Sequence, residues 1–431
     1  MKTHRRSQFI KYLASREYVL LLLIIGAVNL IPLVFATDVE PKYAITNSIN
    51  PLLVGCNAFL ARLNDGILTS SLALLLSLVA YFLIILRSFA FFRQKTSIER
   101  ALLGVFVMLT FAGLHSHSLF FEGSIFPVAF LLLSLYSMYS WIEKGHNSLP
   151  PITSVLWGCM ASLSHSPWIL LIPISTIILY MWIRGQRTLF ILSSTLYYAV
   201  ATLLITAIWY YWQLGSLCNY YLLPQWTLFG NLQSILIGLL PWCVLVLFIP
   251  WKQARTANQE LRKTPYHIFG AVTAVVSLMF GINSSEEFQF LALVAYPFLG
   301  MLAAELLFYL AKSNRPQLVY FTWLLNILAA CICLGLLLAF MGFATCSDLI
   351  GEQAKTLTVI LNQYNGITVT MMLLIFLAML TTVYQLYRKS YSKLAYANIF
   401  LVYICLLCMD LTVTLYSCLP TKPLIDFFSF L

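Results

Sequence analysis

The chain has 431 residues, 61% of them hydrophobic and 9% charged, with a formal net charge of +10. So little charge excludes a soluble domain, whose surface must be solvated, and makes the bilayer the solvent. Nor does the positive balance point to nucleic acid, because Lys and Arg sit in short connections between apolar runs, where anionic lipid headgroups are their expected partners.

Residues 1–17 form a basic tail with Lys2, Arg5, Arg6, Lys11 and Arg16. Thirteen apolar segments follow, each long enough for a helix to cross or nearly cross about 30 Å of hydrocarbon. They are expected at 18–35, 66–86, 101–121, 124–141, 151–164, 167–183, 188–212, 231–250, 268–284, 289–311, 318–344, 367–386 and 395–417. The first is expected to remain as an anchor, since no small-residue cleavage site closes it. Alternate connections differ in charge. One set holds 21 of the 25 Lys and Arg; the other keeps Lys42, Arg62, Lys355 and Lys422 and carries most of the carboxylates with His115, His117 and His165. The positive-inside rule then predicts an all-α polytopic membrane protein, N-terminus in and C-terminus out, with its chemistry on the acidic outer face.

No connection is long enough for a separate soluble domain, so residues 1–431 read as a single transmembrane domain. The first outer loop, 36–65, opens with Asp38-Val39-Glu40-Pro41-Lys42-Tyr43-Ala44 directly after a span. Tight outer turns at Glu122-Gly123 and His165-Ser166-Pro167 force the helices they join side by side and bring Glu122 and the three histidines to the outer boundary. There an ionisable group is costly unless paired or facing water. Glu286 and Glu287 occupy a similar turn. All of these groups are candidates for one outward cleft, though exposed turn carboxylates and hydrogen-bonded imidazoles are the plainer alternative.

His115, His117, Glu122 and His165 combine imidazole with carboxylate, a donor set that suits a divalent transition metal. Against this, residues two apart on a regular helix point to different sides, which makes His115 and His117 weak metal candidates. The aromatic run Trp209-Tyr210-Tyr211-Trp212, with Tyr220, Tyr221 and Trp226, reads as an interfacial belt, with sugar or prenyl stacking as the alternative. Glu305 and Asp410 fall within spans, where pairing or packing hydrogen bonds are expected in preference to an ion pathway. An amphipathic outer segment is expected at 345–366, and 418–431 is an outer tail. Cys56, Cys218, Cys346 and Cys418 are all outer-side, and three disulfide pairings, or none, are open to them.

Four stretches together resemble the GT-C membrane glycosyltransferases of the aminoarabinose-transferase and protein-O-mannosyltransferase type. Glu40-Pro41-Lys42-Tyr43-Ala44 is similar to their first-loop acidic motif, and Ala61-Arg62-Leu63-Asn64-Asp65 to the opening of their second span. Ala161–Pro167 is similar to their Gly-Leu-Ala-x-Leu-Thr-Lys-Gly-Pro turn. Leu240-Pro241-Trp242, with Ile282–Phe290 and Tyr296-Pro297, resembles their Leu-Pro-Trp and later Ser-x-x-Lys region. The four run in order over residues 18–311 and cover about two thirds of the chain.

The resemblance implies a compact, divergent GT-C-like bundle in a bacterial inner membrane. It also implies transfer of a sugar from a polyprenyl-phosphate-linked donor to a lipid, glycan or protein acceptor on the periplasmic face. Asp38 or Glu40 is then the expected catalytic carboxylate, with Lys42, Tyr43, Arg62, Glu122, His165, Glu286 and Gln289 binding substrate. No cofactor follows firmly from it, a divalent metal being the one candidate. The chain departs from the family where phosphate-holding cations are expected: the turn Lys is His165, and Glu286, Glu287 and Gln289 occupy the later basic positions. A carboxylate about 4 Å from a phosphate would repel it by roughly 1–4 kcal/mol. A catalytically inactive relative that binds lipid or scaffolds envelope proteins is therefore the second reading, and a transporter or flippase, which would show inverted repeats, the third.

Overall fold

The computed structural model describes residues 18–31, 70–94, 96–115, 124–143, 151–185, 188–214, 226–245, 264–284, 286–313, 315–340 and 365–417. The helices are α1 Tyr18–Val28, α2 Ser70–Arg93, α3 Ile98–Leu109, α4 Ile125–Glu143, α5 Ile152–Ser164, α6 Leu171–Ile183 and α7 Thr188–Leu214. They continue with α8 Leu232–Gly238, α9 Trp242–Leu245, α10 Pro265–Ile282, α11 Tyr296–Ser313, α12 Arg315–Phe340, α13 Asn365–Tyr387 and α14 Tyr391–Ser417. Three 3-10 segments lie at Ala112–His115, Pro167–Leu170 and Glu286–Ala295. Among the described residues there is no strand, and seven helices are long and apolar enough to cross a membrane. This is an all-α polytopic membrane fold.

Most expected spans coincide with helices, and three are corrected. The span expected at 101–121 stops at Leu109. Thr110 leaves helical geometry (φ −106°, ψ 17°), its hydroxyl donates back to the Val107 carbonyl at 2.8 Å, and a 3-10 turn follows. The segment expected at 231–250 breaks between α8 and α9 around Pro241, which has no N–H for a continuing helix. The tenth span begins as the 3-10 segment Glu286–Ala295 and becomes α-helical only at Tyr296. The second helix also runs past its expected end at 86 to Arg93, a cation well placed at a helix C-terminus.

Charge sorts the ends of the bundle. Arg100, at the start of α3, pairs with Glu305 of α11 at 3.3 Å and lies over the Phe308 ring. Glu143, closing α4, accepts the Tyr180 hydroxyl at 2.6 Å and lies 4.0 Å from Arg184, just beyond α6. By the positive-inside rule this basic end faces the cytoplasm. Glu305 is thus an ion-pair partner, as its cost in lipid demands.

Packing within the bundle is aromatic near this end. Phe91 stacks on Tyr136 at 4.3 Å and meets Tyr139, Tyr266 and Phe298. Elsewhere buried hydroxyls and amides join helices, where apolar contact with lipid tails offers no competing advantage. Ser134 of α4 joins Ser154 of α5 and the Tyr198 hydroxyl of α7, at 3.2 and 2.7 Å. A Cβ at Gly158 would lie 2.5 Å from that hydroxyl, so the glycine lets α5 and α7 close. In the last three helices Thr382 donates to Asn326 Oδ1 and Asn398 to Thr322 Oγ1, both at 2.9 Å, and all four residues are buried.

Candidate functional site

Four stretches meet at the end of the bundle away from the basic residues: Ala112–His115, Ser164–Leu170, Trp226–Leu240 and Gly281–Tyr296. The second is built locally. After α5 ends, His165 takes an irregular conformation (φ −148°, ψ −76°), and Ser166 caps the next turn by accepting from the Trp168 amide at 3.4 Å. Pro167 follows at the first helical position, where its missing N–H costs nothing. His165 is thereby left half-buried at the apex between two helices.

The fourth stretch reverses sharply. A Cβ on Gly281 would come within 2.9 Å of the Ala292 side chain, so only glycine lets Glu286–Ala295 fold back on the end of α10. The reversal brings Phe288 and Phe290 against the His165 ring, with centroids 4.8 and 4.7 Å away. Gln289, between them in sequence, extends to α8, where its Nε2 hydrogen-bonds the exposed Ser234 hydroxyl. One turn earlier, Asn231 is buried and donates to the carbonyls of Gly281 (3.1 Å) and Ser284 (2.7 Å). The floor is equally close-packed. Tyr296 stacks on Phe111 at 4.9 Å, and its hydroxyl occupies the space where a Cβ on Gly113 or Gly238 would lie. Trp242 Nε1 donates to Thr110 Oγ1 at 2.9 Å and ties the break in α3 to the break before α9.

Of the candidate residues, His165 packs against the Glu286–Ala295 segment and Gln289 lies on it. Glu286 and Glu287 lie on its first turn and His115 ends the Ala112–His115 turn, their side chains outside the described residues. Asp38, Glu40, Lys42, Tyr43, Arg62, His117 and Glu122 lie outside the described residues, as do Cys56, Cys218, Cys346 and Cys418, the tail 1–17, the loop 36–65, most of 345–366 and the tail 418–431. Among the described residues no three His, Cys, Asp or Glu side chains converge as a metal site. Ser234 and Asn231 escaped sequence reasoning because a lone Ser or Asn on an apolar stretch resembles any packing residue. The one local hint is Asn231 standing just before an apolar run, a position that favours a helix start.

Helices break at one membrane end, with turns from distant parts of the chain gathered there, in a polytopic fold that is GT-C-like by its similarity to a solved structure. The chain is similar to ArnT from Cupriavidus metallidurans, solved bound to undecaprenyl phosphate, with a TM-score of 0.63 and 18% identity over 93% of this chain and 77% of that one. The apo structure of the same protein matches with a TM-score of 0.63 and 15% identity, over 93% and 78%. No protein-family model and no curated protein matches the chain.

Proposed function

We propose that this protein transfers a sugar from a polyprenyl-phosphate carrier to an acceptor on the periplasmic face of a bacterial inner membrane. The observation that carries the reading is fold similarity across 93% of the chain to a protein solved with undecaprenyl phosphate. The packing of His165 on Phe288 and Phe290 and the contact of Gln289 with Ser234, at the end opposite the basic residues, support it.

In this reaction the acceptor hydroxyl oxygen attacks the anomeric carbon and the carbon–oxygen bond to phosphate breaks. Polyprenyl phosphate departs with the electron pair. Asp38, or Glu40 in its place, takes the hydroxyl proton, which needs a carboxylate within hydrogen-bond reach. Lys42, Arg62 and His165 hold the phosphate as its charge grows, the step where preorganised donors matter most. Tyr43, Glu122, Glu286 and Gln289 contact the sugar and the acceptor.

The test is transfer of labelled sugar from polyprenyl-phospho-sugars by the purified chain in nanodiscs. Transfer abolished by Asp38→Asn with Glu40→Gln supports the reading. If donors neither bind nor react, and the double variant leaves the cellular phenotype intact, the reading is wrong. A non-catalytic lipid-binding relative is the second reading, favoured by Glu286 and Glu287 where the family resemblance expects cations; it predicts lipid binding without transfer.

A further inference from the structure

Immediately before α8 the chain makes a tight turn, Trp226–Gly230, in which Phe229 adopts a left-handed backbone (φ 57°). A bulky residue rarely does so, and at a cost of about 1–3 kcal/mol. The result is outward display of large apolar side chains. Leu228 is 84% exposed, Phe229 56% and Trp226 49%.

The amides of Thr227, Phe229 and Gly230 in this turn, and of Asn231 after it, are nonetheless hydrogen-bonded from within. Thr227 N–H donates to the Asn283 carbonyl and Asn231 N–H to Ile282, both at 3.1 Å, while Gly230 N–H reaches the Thr227 carbonyl at 3.3 Å. Phe229 N–H donates to Asn283 Oδ1 at 3.2 Å, and the Thr227 hydroxyl to the Ser284 carbonyl at 3.1 Å. The apolar surface continues beyond the turn along exposed Leu232, Leu236 and Leu240 and onto Met279 and Val275 of α10, part of the bundle's lipid-facing side.

We infer that the Trp226–Gly230 turn is immersed in the acyl-chain region of the outer leaflet and that phospholipid tails are its partner. Exposed to water, a Leu and a Phe would each forgo roughly 1.5–3 kcal/mol of burial free energy. Entry into lipid demands that backbone amides be satisfied internally, and those of Thr227, Phe229, Gly230 and Asn231 are. Continuity with the lipid-facing side selects the bilayer over a protein partner. Ser234, one turn along α8 from the immersed turn, holds Gln289 and so joins the turn to the candidate site. This inference is independent of the sugar-transfer reading.

The experiment places p-benzoylphenylalanine at Leu228 of the full chain in nanodiscs of phosphatidylethanolamine and phosphatidylglycerol. Leu204→p-benzoylphenylalanine, at an exposed position along α7, serves as the lipid-facing control. After irradiation, mass spectrometry should find the peptide bearing position 228 heavier by one phospholipid, as at position 204. Lipid adducts at 204 with none at 228, in protein of unchanged thermal midpoint, would overturn the inference. So would crosslinking of position 228 to a second copy of the chain.

Discussion

Tyr296 shows how a single hydroxyl holds the floor of the candidate site. An added methyl at Gly113 would lie 2.1 Å from that oxygen, and one at Gly238 2.6 Å from it. Gly113→Ala should therefore cost about 1–3 kcal/mol, the usual penalty of overpacking. Tyr296→Phe in the same chain should restore part of it by removing the colliding atom, read from thermal unfolding of the four members of the cycle in detergent; strict additivity would show that the two residues do not touch. His165 carries a different prediction, which rests on the sugar-transfer reading. Loss of one hydrogen bond to a charged group, worth about 1.5–3 kcal/mol, makes His165→Ala weaken undecaprenyl phosphate binding by roughly 10- to 100-fold. His165→Lys should retain it. An unchanged dissociation constant in the alanine variant would remove His165 from the phosphate site.

At the scale of elements, α3 and α11 approach closely. A Cβ at Gly300 would stand 2.7 Å from the Gly104 carbonyl oxygen and 2.9 Å from the Met108 amide nitrogen, both backbone atoms that cannot rotate away. Gly300→Ala must push the helices apart, and it should lower the unfolding midpoint more than Gly335→Ala, where an added Cβ meets open space. The last three helices depend instead on polar contacts. Asn326→Leu removes the acceptor of Thr382 at 2.9 Å and should destabilise by about 0.6–1.7 kcal/mol, the range for hydrogen bonds between membrane helices, measured by denaturation in mixed micelles. Helices were legible in the sequence where they run uninterrupted, because apolar length alone specifies them. The breaks at Thr110 and Pro241 were not, although Leu240-Pro241-Trp242 stands out as a motif. What joins the two breaks is a contact between residues 132 apart in sequence, the Trp242 indole on Thr110.

For the whole molecule, charge decides orientation, and at the basic end the Arg100–Glu305 pair links α3 to α11. Glu305 keeps only 15% of its side chain accessible whereas Arg100 keeps 51%. Replacing Arg100 by Met strands a carboxylate near lipid and should cost about 1–2 kcal/mol after allowance for the exposed guanidinium. Adding Glu305→Met should recover most of that, as seen in thermal midpoints; a double variant no better than Arg100→Met alone would mean the pair does not act as a unit. The sequence by itself determined that this is a polytopic helical membrane protein, which way its ends face, and which fold family it resembles. Composition, apolar run length and the sorting of Lys and Arg are properties of the chain that need no knowledge of contacts. Only the tertiary structure decided that His165 lies between Phe288 and Phe290, that Gln289 reaches Ser234, and that Gly113 and Gly238 make room for Tyr296. Those pairings join segments far apart in the chain, and in a bundle they depend on helix rotation and depth, which hydrophobicity leaves nearly free when every face is apolar.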